Sequence, residues 1–370
     1  MIGRGVPSPR LERPRPAPRV AVVGAGAWGT TLALLVGRQE PLLLLARSAV
    51  AASDIARSRR NERRLPGIAL PPNVVASADP ADLATATDLV IFAVPSAHLR
   101  GTVARVAAHI APGADLLSVV KGLEPGTLLR MSEVIAEAGG FDARRIAALS
   151  GPNLALEVAR GLPSSAVVAA TDPTLAERIV ARLGRRRFRL YVNSDLLGVE
   201  LAGALKNVIA IAAGAADGLG FGDNGKAGLM TRGVAEMTRL GIAAGANPLT
   251  FAGLAGIGDV IATCGSKLSR NHRLGEELAK GRTWAEVEAD LPGVAEGAYT
   301  VDAAIELARR LDVEMPIARE VHNALFEGKS VQRCLVTLLS RESKDELADF
   351  GRWIERFVAE RVGSPTPPAR

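Results

Sequence analysis

The chain has 370 residues, enough for two hydrophobic cores, since a single core stops growing at roughly 250–300 residues. Hydrophobic residues make up 48 % and charged residues 23 %, the proportions of a folded globular protein, so disorder of the whole chain is excluded. The net charge of +6 does not point to nucleic acid: residues 1–19 hold five arginines and one glutamate, a local +4 (5 − 1), and aromatic residues at 4 % are too few for base-stacking platforms.

In chain order, residues 1–18 are rich in Pro and Arg and are expected to be a disordered tail. They contain no apolar leader, and no later run is expected to supply the ~18 apolar residues of a membrane span, so a cytoplasmic protein is expected. Candidate strands follow at 19–23, 41–46, 88–94, 115–120, 145–149, 166–169 and 188–192, separated by helical stretches. Near-continuous apolar strands alternating with helices imply a parallel sheet covered on both faces, a doubly wound α/β domain over residues 19–195. From residue 196 to 348 the Ala/Leu/Gly stretches have helical length, and an all-helical second domain is expected, followed by a C-terminal tail over 349–370. Cys264 and Cys334 fit neither a disulfide framework nor zinc-ligand spacing, no metal is expected, and a reducing compartment is favoured.

The first strand runs into Gly24-Ala25-Gly26-Ala27-Trp28-Gly29 and then a helix. In that context Gly24 makes a tight turn, Gly26 lets a pyrophosphate approach the backbone, and Gly29 lets helix and strand pack closely. The bland reading is a tight turn and nothing more. Arg47 ends the second strand, 18 residues past Gly29, where a carboxylate would favour NAD and an arginine accommodates the 2′-phosphate of NADP. NADPH is therefore expected to be accepted or preferred over NADH; the alternative is an ordinary surface arginine. Val94-Pro95-Ser96 and Val119-Val120-Lys121-Gly122 sit at the carboxyl ends of strands, where open α/β sheets bind ligands.

The helix opening near Val199 is apolar nearly all round and so is expected to be buried, yet Lys206 and Asn207 interrupt it. Glu200, Gly203 and Asn207 share a stripe beside Lys206. A buried ammonium needs a partner or ligand, and desolvation lowers its pKa toward the range useful for acid–base catalysis; a structural ion pair is the competing reading. Gly253 to Asp259 is expected to be a glycine-rich turn ending in a helix N-cap. Ser269-Arg270-Asn271 opens another helix and suits a phosphate, with capping alone as the alternative.

The chain resembles the bacterial NAD(P)-dependent glycerol-3-phosphate dehydrogenases over about residues 19–340. The matching runs include Gly24-Ala-Gly-Ala-Trp-Gly-Thr30, Lys121-Gly122, Ser150-Gly-Pro-Asn153, Glu200-Leu-Ala-Gly-Ala-Leu-Lys-Asn207, Gly253 to Asp259, Ser269-Arg-Asn271 and Glu296-Gly297. The resemblance implies reduction of dihydroxyacetone phosphate to sn-glycerol 3-phosphate for phospholipid synthesis, in a homodimer. It implies Lys206 as the catalytic acid–base with Lys121 and Asp259 beside it, and Gly151, Asn153, Asn207, Ser269, Arg270 and Asn271 around the substrate. It implies a dinucleotide lined by Gly24, Gly26, Ala27, Trp28, Gly29, Arg47, Lys121, Ala155, Arg270, Val294 and Glu296. Many relatives carry a small hydroxyl residue where this chain has Asn153. The rivals are another two-domain reductase, such as a ketopantoate or 6-phosphogluconate dehydrogenase, and a dinucleotide-binding protein that has lost catalysis.

Overall fold

The computed structural model describes residues 17–291 and 293–342. The expected tails, apart from Ala17 and Pro18, and residues 343–348 of the expected helical domain lie outside these residues.

Eight strands form one sheet in the order β3-β2-β1-β4-β5-β6-β7-β8. They are β1 (Val20–Val23), β2 (Leu42–Leu45), β3 (Val74–Ser77), β4 (Leu89–Phe92), β5 (Asp115–Ser118), β6 (Ile146–Ser150), β7 (Ser164–Ala169) and β8 (Phe188–Asn193). Residues of β1, β2 and β4 are buried on both faces, which is why their sequence shows no alternation. Val20, Val22, Leu42 and Leu44 enter one core, while Ala21, Val23, Leu43 and Leu45 enter the core on the opposite face. Helices α1 (Ala27–Gly37), α2 (Ala49–Ser58), α3 (Leu99–Val106), α4 (Met131–Gly139), α5 (Ala155–Ala159) and α6 (Pro173–Leu183) connect the strands.

Two features correct the expected sheet. Strand β3 has no counterpart among the expected strands: it is an edge strand with Val75 exposed, and it lacks the unbroken apolar run of the strands buried on both faces. Strand β7 runs antiparallel to β6 in an otherwise parallel sheet. A parallel crossover needs a dozen or more residues, usually with a full helix, to recross the sheet. The β6–β7 link, residues 151–163, reaches that length, but the helix it carries is the five-residue α5, too short to span the sheet, and the chain turns back where it emerged.

From Leu196 the structure is helical: α7 (Leu196–Gly218), α8 (Gly222–Ala243), α9 (Pro248–Phe251), α10 (Asp259–Gly265), α11 (Arg270–Ala279), α12 (Trp284–Asp290), α13 (Glu296–Arg310), α14 (Pro316–Phe326) and α15 (Val331–Leu339). Helix α7 is the axis of this part; α8, α10, α11 and α13 pack around it. Contrary to expectation, Leu196–Gly218 and Pro248–Gly265 are both long and apolar enough to cross a membrane by length and composition. The first is 89 % buried over its most apolar window and is a core helix; the second is broken into α9, a wide turn and α10. That wide turn, Leu254–Gly258, is a π-helical segment in which the Gly258 amide donates to the Gly253 carbonyl at 3.1 Å. The expected loop is thus helical, Gly258 is the N-cap, and Asp259 is the first residue of α10.

Candidate active site

The turn after β1 is fixed by its glycines. Gly24 has φ +114°, and a Cβ there would sit 2.6 Å from the Ala93 carbonyl oxygen; a Cβ on Gly29 would sit 2.0 Å from the Gly24 oxygen. Both positions must be glycine for the chain's own packing. Gly26 differs, because its Cβ would meet nothing nearer than 3.9 Å. It is the N-cap of α1, and no side chain bonds to that helix start. Space over Gly26 and first-turn amides without a capping side chain form a cradle that fits the pyrophosphate of a dinucleotide.

The other expected cofactor residues gather around this cradle or lie near the substrate loops. Ala27 and Trp28 begin α1, and Trp28 packs edge-on against Phe188 with ring centroids 6.0 Å apart. The Thr31 hydroxyl donates to the carbonyls of Ala27 (2.9 Å) and Ala155 (3.0 Å), which brings α5 against α1. Arg47 is exposed just past β2. Val294 and Glu296 are half-buried at the start of α13, where Glu296 accepts from the backbone amide of Ser96 at 3.1 Å and from its hydroxyl. Burial raises the Glu296 pKa against the opposing bonds from Ser96. Asn61 is not among the expected residues; its amide donates to the Ala25 carbonyl (2.9 Å) and to the Thr30 hydroxyl (2.8 Å), tying the 59–70 loop to the glycine turn.

The chemistry centres on two lysines and one carboxylate. Lys121 follows β5, Lys206 lies mid-way along α7, and Asp259 begins α10. Lys121 Nζ donates to Asp259 Oδ2 at 2.5 Å and to the Gly151 carbonyl at 2.9 Å. Lys206 Nζ lies 3.1 Å from Asp259 Oδ1 and donates to the Thr263 hydroxyl at 2.7 Å, which in turn donates to Asp259 Oδ1 at 3.0 Å. Asp259 is 2 % exposed and Lys206 6 %. Burial pushes Lys206 down to about 8; Asp259 opposes the shift and Lys121 adds to it. Burial would raise Asp259, but the two ammonium groups outweigh it and hold the carboxyl below its ordinary value. Thr263 is a further site residue that the sequence reading lacks, although its place one turn after Asp259 on the same helix face is the available signal.

Around this triad, Asn271 Nδ2 donates to Asn207 Oδ1 at 2.8 Å, and Asn271 Oδ1 accepts from the Gly297 amide at 3.0 Å. Ser269 caps α11, accepting from the His272 amide at 3.2 Å. Arg270 is exposed, unlike its buried neighbours Ser269 and Asn271. Surrounding protein atoms nonetheless desolvate its guanidinium and lower its pKa, with Glu296 opposing and Arg64 adding. Both amide atoms of Asn153 are buried without a hydrogen-bond partner. Glu200, expected on the Lys206 seam, turns away from it and bonds to Ser132 and Arg130.

The N-terminal model of NAD-dependent glycerol-3-phosphate dehydrogenase matches residues 19–176, and the C-terminal model of the same family matches 195–336. Glycerol-3-phosphate dehydrogenase [NAD(P)+] of Streptomyces coelicolor is 46 % identical over 329 residues, 89 % of this chain and 98 % of that one. The enzyme of that name from Anaeromyxobacter dehalogenans is 44 % identical over 331 residues, 89 % of this chain and all of its own length. The crystal structure of glycerol-3-phosphate dehydrogenase from Coxiella burnetii superposes with a TM-score of 0.82 at 36 % identity, covering 87 % of this chain and 98 % of that one. Matched in both halves and along nearly the whole length of these relatives, the chain belongs to the NAD-dependent glycerol-3-phosphate dehydrogenase family.

Proposed function

We propose that the chain is a glycerol-3-phosphate dehydrogenase that interconverts dihydroxyacetone phosphate and sn-glycerol 3-phosphate, with Lys206 as its acid–base. The observation that carries this reading is the buried Lys206–Asp259–Lys121 cluster, in which Lys206 sits at about 8 and can serve in either protonation state near neutrality. A dinucleotide held by its pyrophosphate at the glycine turn would supply the hydride chemistry at the C2 carbon. Lys206 Nζ, as ammonium, donates a proton to the C2 oxygen in the reducing direction; as the neutral amine it takes that proton back in oxidation. Asp259 holds Lys206 in place and Thr263 fixes the direction of its Nζ. Lys121 stabilises the developing oxygen charge from a second side.

Ser269, Arg270 and Asn271 hold the phosphate, and Gly151, Asn153 and Asn207 line the rest of the substrate. The partnerless amide of Asn153 supports that role, because a buried amide without a bond gains from one. Gly24, Gly26, Ala27, Trp28, Gly29, Arg47, Lys121, Ala155, Arg270, Val294 and Glu296 line the cofactor, with Arg47 favouring NADPH. Residues 19–195 and 196–348 act as a dinucleotide domain and a substrate domain of a cytoplasmic homodimer that serves phospholipid synthesis. The deciding experiment follows oxidation of NADPH and NADH by the purified chain with dihydroxyacetone phosphate. No turnover with either cofactor would overturn the proposal.

A further inference from the structure

Three carboxylates of the helical region reach loops at the carboxyl ends of the strands. Glu296 accepts from Ser96 after β4, Asp259 accepts from Lys121 after β5, and Glu200 accepts from Arg130 and Ser132, where that same β5 loop enters α4. The first two belong to the site described above. Glu200 touches none of its groups, yet both of its oxygens are hydrogen-bonded.

Glu200 Oε1 accepts from the Ser132 amide at 2.8 Å; Oε2 accepts from the Ser132 hydroxyl at 2.6 Å and from Arg130 Nη1 at 2.7 Å, while Arg130 Nη2 donates to Glu133 at 2.5 Å. The Glu200 side chain is 4 % exposed, so these bonds replace its water. Arg130 pairs through its backbone with Leu123, two residues after Lys121, in an isolated antiparallel bridge. Leu123 is buried in the helical core with Val199 and Leu205. From the other side, Arg100 grips Glu124 through two bonds of 2.8 Å. The loop that carries Lys121 is thus fastened to α7, the helix that also carries Lys206, by contacts that do not involve the Lys121 ammonium.

That independence matters, because Lys121 Nζ is bonded to Asp259 and Gly151 in this structure and must turn part of its bonding to the substrate oxygen. If those two bonds alone held the loop, it would loosen at the moment of reaction. We propose that Glu200 is a positioning residue: by clamping Ser132 and Arg130 to α7 it holds the Lys121 loop at a fixed distance from Lys206 while the Lys121 ammonium changes partners. This rests on the functional reading above.

The test is a double-mutant cycle on the full chain. Glu200→Gln keeps the side-chain volume but removes the buried one of the two charges that Arg130 meets, leaving Glu133. It is measured in the natural background and in Lys121→Met. Acting through Lys121, Glu200→Gln lowers kcat/KM for dihydroxyacetone phosphate by about tenfold or more in the first background and by less than about twofold in the second. A general loss of packing would instead lower activity by the same factor in both, and that result, or no loss in either, overturns the proposal. Ser132→Ala removes one donor and leaves the ion pair; it replaces Glu200→Gln if that variant does not fold, with a smaller loss expected that again vanishes without Lys121. An inactive natural chain would sink the functional reading itself, whereas an active chain with equal losses in both backgrounds sinks only the role of Glu200.

Discussion

Replacing Asp259 by Asn keeps the shape of the side chain and removes the charge that holds Lys206 protonated. Asp259 Oδ1 lies 3.1 Å from Lys206 Nζ, and it is the main influence opposing the burial that brings Lys206 down to about 8. An opposite charge at this range moves a pKa by about 1–3 units, so its loss, with Lys121 still repelling, lowers Lys206 further from about 8, by about two units at the middle of that range. At neutral pH the ammonium fraction then drops from about nine-tenths to about one-tenth, and reduction loses roughly tenfold from protonation alone. The assay is the initial rate of NADPH oxidation with dihydroxyacetone phosphate from about pH 5.5 to about pH 9.5, with thermal unfolding recorded beside it. In the natural chain the rate declines as pH rises through about 8, because the proton donor is being lost; in Asp259→Asn the decline moves to lower pH. The oxidation of sn-glycerol 3-phosphate, which needs the neutral amine, shows the mirror image. A folded Asp259→Asn enzyme whose alkaline limb stays at about 8 would refute the account of Lys206 as a donor tuned by this carboxylate.

Further outcomes follow from other parts of the site and the core. Arg47→Asp should weaken use of NADPH far more than that of NADH, since the 2′-phosphate loses a cation and meets a like charge; equal effects on the two cofactors would remove Arg47 from phosphate recognition. Arg270→Ala should raise the Michaelis constant for dihydroxyacetone phosphate by about tenfold while leaving unphosphorylated dihydroxyacetone nearly unaffected, and a common loss for both would place the phosphate elsewhere. Glu236 is 2 % exposed, accepts from the Ile317 and Ala318 amides at the start of α14, and is raised by burial to about 7. Its folded pKa lies above its unfolded value, so the stability it contributes is full at acidic pH and is lost as pH rises through about 7. Melting temperatures of Glu236→Gln across this range should lack that decline; an unchanged pH dependence would mean that Glu236 does not cause it.

The sheet region is legible where local chemistry dictates structure. The two-sided burial of β1, β2 and β4 leaves an unbroken apolar run, and Gly24 and Gly29 are demanded by contacts within a few residues of the turn and by the neighbouring strand. Lys206 and Asn207 stand out because they interrupt an apolar helix. What stays hidden depends on partners distant in the chain. The direction of β7 goes with a connection whose helix is only five residues long, and the pairings of Asn207 with Asn271 and of Glu200 with Ser132 span 64 and 68 residues. The wide turn before Asp259 reads as a loop because glycine spacing is the same in both. The Gly258-to-Gly253 hydrogen bond belongs to the wide helical turn, which carries Asp259 directly into a helix whose next turn brings Thr263 to the same lysine.

Two ammonium groups share one carboxylate at the heart of the molecule. The cluster is therefore a buried unit with a charge excess of one, in surroundings that do not solvate it well. An anionic substrate arriving at such a centre acts as its missing counter-ion, and part of the free energy of association comes from relieving a mismatch already present in the unliganded protein. The same mismatch makes the centre indifferent to the source of the negative charge. Small inorganic anions at high concentration then become competitors of the substrate, and affinity becomes a property of the buffer as much as of the enzyme.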